Sequence, residues 1–265
     1  MHSFMDAMRT NDTQGNRTSP PPAVGPVAGL LLAAGGGRRL GGRPKALLDH
    51  RGRPLVEHAV AALRAAGCGP VHVVLGAAAG AVRERADLAG CVVVENPEWE
   101  RGMGSSLRAG LASLGSTEGG GTGATGAGAG TAGADTGAAG AGMAGADTGT
   151  ADAGMAGADT GTADAVLVVL VDQPGIGAEA MARVAGAHRG RGSLAAASYG
   201  GRRGHPVLLG ADRWAEVAAG AEGDQGARAY LRAHESEITL VPCGDVAEPY
   251  DIDTAADLAH LEGTG

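Results

Sequence analysis

Two stretches of the chain are apolar without interruption, Val27 to Ala33 and Ala165 to Val171. Neither alternates with polar residues, which is how a strand reads when both of its faces meet protein. Shorter apolar runs at Val71 to Leu75 and Cys91 to Val94 predict two more strands. Between the first strands the apolar spacing changes to that of helices. Pro54 opens a segment with Leu55, Ala59, Ala62 and Leu63, which Gly67 stops, and a short helix is predicted near Ala78 to Arg85. Ser105 and Ser106 stand before Leu107, Leu111 and Leu114, so one of the two serines is expected to cap that helix. Further strands are expected at Leu194 to Ser198, from the turn at Gly200 to Leu209, and at Ile238 to Val241. A last helix runs from Ala255 to Leu261, with Thr254 as N-cap and Asp257 at N3. Strands alternating with helices at this spacing predict an α/β fold, a three-layer α/β/α domain with a mostly parallel sheet.

Two segments stand outside that pattern. Residues 1–26 are polar and proline-rich with no apolar h-region, so they read as a disordered leader and not as a signal peptide. Residues from about 115 to 163 are nearly all Gly, Ala, Thr and Asp, and the unit GMAGADTGTADA occurs in succession from Gly142 and from Gly154. Apart from one methionine the unit has no large apolar residue to bury against a neighbour, so it reads as a low-complexity disordered insertion and not as a solenoid. Without both segments roughly 190 residues remain, enough for one ordinary domain, residues 27–263.

The formal net charge is −8 and no basic run occurs outside the glycine-rich turn after the first strand, which argues against a nucleic-acid partner. No apolar stretch reaches the roughly 20 residues that span a bilayer, so no membrane role is expected. Cys68, Cys91 and Cys243 are scattered, which fits reduced thiols in a cytoplasmic protein better than a zinc site or a disulfide framework. With one Phe, two Trp and three Tyr, the core must be packed from Val, Leu and Ala.

The candidate chemistry begins where the first apolar run ends. Gly35, Gly36 and Gly37 allow close backbone approach to a ligand, and exposed N–H groups in such a turn attract anions. Arg38, Arg39 and Lys45 follow, an arrangement suited to polyphosphate. A P-loop is excluded because Pro44 precedes the lysine and Ala46 follows it. A dinucleotide fingerprint is excluded because Leu40 occupies the position of its third glycine. The second apolar run delivers Asp172-Gln173-Pro174 at its carboxyl end, where open α/β sheets hold their ligands. A carboxylate there is a hard oxygen ligand suited to Mg²⁺. Asp251 and Asp253 have no structural task in the capping scheme, and an alternating backbone would send both to one side.

LAAGGGRRLGGRPKALL resembles the signature of the nucleotidyltransferases that act on molybdenum cofactor, the guanylyl- and cytidylyltransferase family, through Leu32, Ala33, Ala34, Gly35, Arg39, Gly41, Pro44 and Lys45. Gly37 departs from the usual Ser/Thr, Leu40 from Met, and the loop is one residue longer before Pro44. Asp172 and Pro174 match the family's Asp-x-Pro metal motif, and the segment from Gly104 to Leu111 is similar to its nucleotide-contacting Gly-x-Ser-Ser-Leu segment, with Gly104 where a further Ser is common. Arg203-Gly204-His205-Pro206 resembles a segment of the cytidylyltransferase branch near the acceptor, as does Gly223-Asp224-Gln225-Gly226-Ala227-Arg228.

The resemblance implies a Rossmann-like nucleotidyltransferase domain that moves a nucleotidyl group, most readily from CTP, to the phosphate of a molybdopterin-type cofactor with release of pyrophosphate. It implies Lys45, Arg39 and Asp172 as catalytic residues, and Leu32, Ala33, Ala34, Gly35, Gly36, Gly37, Lys45, Ser105 and Ser106 around the nucleotide. It further implies His205, Arg203 and Asp224 at the acceptor and Mg²⁺ on Asp172 with Asp251 or Asp253. A molybdoenzyme is a possible recipient of the product. Other phosphorylated acceptors, a non-catalytic cofactor chaperone, and a redox enzyme reusing the fold stand as alternatives.

Overall fold

The computed structural model describes residues 25–115 and 162–262. The leader and most of the insertion therefore lie outside the described residues. The elements in order are β1 (Val27–Ala33), β2 (Asp49–His50), β3 (Arg53–Pro54), α1 (Leu55–Ala65), β4 (Val71–Leu75), α2 (Ala79–Arg85), β5 (Cys91–Glu95) and α3 (Met103–Gly115). After the insertion come β6 (Ala165–Leu170), α4 (Ala178–Ala185), β7 (Leu194–Tyr199), β8 (Arg202–Gly210), α5 (Trp214–Gly220), α6 (Arg228–Ala233), β9 (Thr239–Pro242) and α7 (Ala259–Glu262).

The main sheet has seven strands in the order β5-β4-β1-β6-β8-β7-β9. Its ladders are parallel except those of β8, which runs antiparallel to both β6 and β7. The expectation of a mostly parallel α/β/α sandwich holds. The two uninterrupted runs are the central neighbours β1 and β6, paired from Val27↔Ala165 to Leu32↔Leu170.

Strand periodicity divides their side chains between two cores. Leu31, Ala33, Leu167 and Val169 pack against α1 and α4 on one face, while Ala28, Leu30, Leu32, Val166 and Val168 pack against α3 and α5 on the other. Both layers are built mainly from Val, Leu and Ala, as the scarcity of aromatics requires. The three cysteines are free thiols, and burial pushes that of Cys68 up to about 11.

Two expectations need correction. Ser105 and Ser106 do not precede α3 but lie inside its first turn, because the helix starts at Met103. The C-terminal helix is a 3-10 turn at Ala256–Leu258 followed by the short α7. Asp257 accepts hydrogen bonds from the backbone of Thr254 and also from its hydroxyl, so the capping box is one-sided. The last repeat unit also runs on into the fold. Ala163 is buried and Asp164 is tied to Gly25, Pro26 and Arg191, so the domain resumes before residue 165.

Candidate functional site

Beyond β1 the chain turns at Gly35 to Gly37, makes a 3-10 turn at Arg38–Leu40, passes Gly41 and Gly42, and enters a second 3-10 turn at Lys45–Leu47. Gly37 has φ 61°, and its carbonyl accepts hydrogen bonds from the N–H groups of Leu40 (2.8 Å) and Gly42 (3.1 Å). A Cβ at residue 37 would lie 1.8 Å from the carbonyl oxygen of Arg43. No side chain fits there, which accounts for glycine where the resembling family has Ser/Thr. Gly41 and Gly42 follow at φ 70° and 78°, left-handed backbone that glycine adopts without strain. Lys45 then reaches the carboxyl ends of β1 and β6.

There its Nζ lies 2.7 Å from Oδ2 of Asp172 and 2.5 Å from Oδ1 of Asp253. Asp172 is delivered by the end of β6. Its carbonyl accepts the N–H of Ile252 at 2.9 Å, and the fully buried Ile252 side chain anchors the segment that carries Asp253. The Asp253 N–H is held in turn by Asp257. Burial works to lower the pKa of Lys45, but the two carboxylates outweigh it and hold the ammonium above its ordinary value. Arg39 approaches Asp253 at 3.9 Å with its side chain 78% exposed, a long, solvated pair of little energetic weight.

The donor set fits a divalent cation of the Mg²⁺ type. Asp172 and Asp253 both reach one positively charged atom, and such cations take one or two carboxylates together with substrate phosphates. The expectation was Asp172 together with one of Asp251 and Asp253. Among the described residues no three His, Cys, Asp or Glu side chains form a metal-sized group. Asp251 accepts a hydrogen bond from Gln173 Nε2 at 2.7 Å, and Asp253 is the member of the pair that meets Lys45.

Other predicted site residues spread along the same sheet edge. Leu32, Ala33 and Ala34 are buried, so what they can present to a ligand is backbone, while Gly35 is exposed with open space above it. Ser105 and Ser106 are buried, and Asn96 Nδ2 donates to both hydroxyls at 2.9 and 3.1 Å. The Ser105 hydroxyl donates to the carbonyls of Glu98 and Gly102. These side chains fasten β5 to α3; they do not point into an open site. At Gly104 a Cβ would lie 2.8 Å from the backbone of Ala221, which leaves no room for the serine that is common there.

The three residues expected on the acceptor side have separate partners. His205 Nδ1 lies 3.4 Å from the Val168 carbonyl; burial pushes its pKa down, against the fields of Asp172 and Asp251. Arg203 donates to the Leu231 carbonyl, and the exposed Asp224 sits over Gly102 at the start of α3.

Two neighbours of the site were not foreseen. Asn96 is 3% exposed and makes the serine tether; its signal is an Asn-Pro step directly after a strand. Trp99, in a 3-10 turn at Trp99–Arg101, lies against Gly36 and Gly76, a contact between separate loops that leaves no mark in local sequence.

The family model described as MobA-like NTP transferase domain matches residues 29–238. Nicotine blue oxidoreductase of Paenarthrobacter nicotinovorans is 35% identical over 242 residues, covering 89% of this chain and 96% of that protein. Molybdenum cofactor guanylyltransferase of Pseudomonas putida is 48% identical over 44 residues, which is 17% of this chain and 23% of that protein. Among solved structures, the Mycobacterium sp. strain JC1 homologue of Mycobacterium tuberculosis Rv0371c superposes with a TM-score of 0.61 at 26% identity, covering 89% of this chain and 94% of that one. The Rv0371c complex with manganese has a TM-score of 0.60 at 22% identity, covering 91% of this chain and 100% of that one, and so shows the shared fold.

Proposed function

This chain belongs to the MobA-like NTP transferase domain family, and we propose that it moves a cytidylyl group from CTP to the terminal phosphate of a molybdopterin-type cofactor, releasing pyrophosphate. The observation that carries this reading is the Lys45 ammonium set between Asp172 and Asp253 beside the glycine turn. It gives the triphosphate a cation at the same edge as two carboxylates able to hold Mg²⁺. The resemblance of Arg203 to Pro206 to the cytidylyltransferase branch favours CTP over GTP.

The chemistry needs no covalent enzyme intermediate. An oxygen of the acceptor phosphate attacks the α-phosphorus in line, the bond to the β-phosphate oxygen breaks, and the pair of electrons leaves with pyrophosphate. Lys45 and Arg39 bind the β- and γ-phosphates and steady the charge that builds on the leaving group. The turn from Gly35 to Gly37 lets the phosphates approach backbone. Asp172 and Asp253 hold Mg²⁺, which when bound neutralises charge on the triphosphate. His205, within the field of Asp172 and Asp251, is the residue that the resemblance assigns to the acceptor.

The test is to incubate the protein with Mg²⁺, each of the four nucleoside triphosphates and molybdopterin cofactor, and to measure pyrophosphate. Release with CTP that needs the cofactor supports the proposal. Release with another phosphorylated acceptor changes the substrate and keeps the reaction. Tight cofactor binding without pyrophosphate from any triphosphate would make the chain a chaperone.

A second reading has one observation behind it, the 35% identity to nicotine blue oxidoreductase across 89% of the chain. On that reading the protein oxidises NAD(P)H in the presence of nicotine blue, or carries a flavin and is coloured as purified. A loss of absorbance at the nicotinamide band with no pyrophosphate from the first assay would establish it in place of the transferase.

A further inference from the structure

The glycine turn has two unlike flanks. In the order β5-β4-β1-β6 it follows β1, with Asp172 beyond β6 on one side and Trp99 beyond β5 on the other. The β6 flank is charged, with Lys45, Asp172 and Asp253. The β5 flank is an indole. A Cβ at Gly76 would lie 2.6 Å from Trp99 Cβ, and a Cβ at Gly36 would lie 3.2 and 3.3 Å from its Cζ3 and Cη2. The ring therefore rests on the backbone of the turn, seated by two glycines, and its own carbonyl accepts the Gly102 N–H at 3.0 Å.

The indole is only half-buried, and its Nε1 has no hydrogen-bond partner among the described residues. The other tryptophan, Trp214, donates its Nε1 to the Leu209 carbonyl at 3.0 Å. A tryptophan that covers apolar surface commonly finds such a partner. Trp99 is thus a rigid aromatic surface with a spare donor, next to the open space above Gly35. A ligand that lies across the turn meets cation and carboxylates at one end and a flat ring at the other, and a nucleotide has that division into phosphate and base.

We infer that Trp99 is the base-contacting residue of the site, against which the nucleobase of the triphosphate packs. The inference rests on the reading of Lys45 and Asp172 as the phosphate end. Base–aromatic contact of this kind is sequence-tolerant and corresponds to about 10- to 100-fold in affinity.

With Trp214→Phe as background, Trp99 is the sole tryptophan of the chain. Titration with CTP in Mg²⁺ should then quench its emission, and inorganic triphosphate should not. Trp99→Ala should weaken CTP about 10- to 100-fold and leave triphosphate affinity unchanged; Trp99→Phe, which keeps a ring over both glycines, should lose less. Unchanged CTP affinity in Trp99→Ala, or an equal loss for CTP and triphosphate, would overturn the inference and leave Trp99 a packing residue of the turn. Should Trp99→Ala fail to fold, the quenching titration and Trp99→Phe still decide. If the unsubstituted protein binds neither CTP nor triphosphate, the nucleotide reading itself falls, and that result is distinct from a loss confined to the base.

Discussion

The Nζ of Lys45 stands 2.7 Å from Oδ2 of Asp172, and the same ammonium reaches Asp253. The lysine thus sits between the two carboxylates proposed above to hold a divalent cation. If that proposal holds, lysine and metal should compete for the same carboxylates. Mn²⁺ binding without nucleotide, followed by the loss of free-ion signal in electron paramagnetic resonance, should be weak and should tighten about 10-fold or more in Lys45→Met, since a cation is removed from beside the ligands. No gain in Lys45→Met would refute the competition. In turnover, Lys45→Ala or Asp172→Ala should each lose at least about 100-fold, the scale of one electrostatic stabiliser.

The glycine at position 37 makes a second claim. Serine there would place its Cβ 1.8 Å from the Arg43 carbonyl at a φ of 61°. Gly37→Ser should cost about 1–3 kcal/mol, the range for a residue forced into strained backbone, and lower nucleotide affinity with it. Deleting Gly42 in the same chain should restore both. Thermal unfolding and a CTP titration read the outcome, and a double variant no better than the single one would disprove the steric link.

Acid should weaken the fold through His72. This residue of β4 is fully buried, its Nδ1 lies 2.7 Å from the Ser113 hydroxyl, and its Nε2 has no partner. Burial is the cause that holds its pKa down. The unfolded chain then binds the proton more readily than the native one, so stability is full above the unfolded value of about 6.5 and falls as pH drops through it. Denaturant unfolding across that window should show the decline, and His72→Leu should flatten part of it. The buried His188, whose pKa burial also lowers, supplies a further part. An identical slope in wild type and His72→Leu would exclude the assignment.

The insertion departs from and returns to the pole of the domain away from the site. Helix α3 runs back from the ligand edge, placing Ser113 beside His72 near the start of β4, and Asp164 donates its N–H to the Pro26 carbonyl just before β1. Asp172 lies at the other end of β6. Replacing residues 117–160 by a short Gly/Ser linker should change turnover less than about 2-fold, because loop length enters stability only logarithmically. A severe loss of activity in a chain that still folds would give the insertion a role.

What could be read from the chain alone was what is locally encoded. β1 and β6 announce themselves because a strand covered on both faces reads as a near-continuous apolar run, and Asp172 follows from where such a strand ends. Contacts between distant segments were less readable. Lys45 and Asp253 are 208 positions apart, and nothing near Asp251 tells which aspartate turns toward the lysine; the distant Gln173 engages Asp251, while Asp257 holds the Asp253 N–H. Ser105 and Ser106 looked like caps because serine before an apolar helical face usually is one, but the helix starts earlier and Asn96 claims their hydroxyls. Trp99 was passed over for the same reason, since its seat is made by glycines from two other loops.

The approach of Arg43 to Gly37 also removes the freedom of the turn at one point. The Arg43 carbonyl stands where a side chain at residue 37 would begin, so any substitution there has to displace the segment that leads to Lys45.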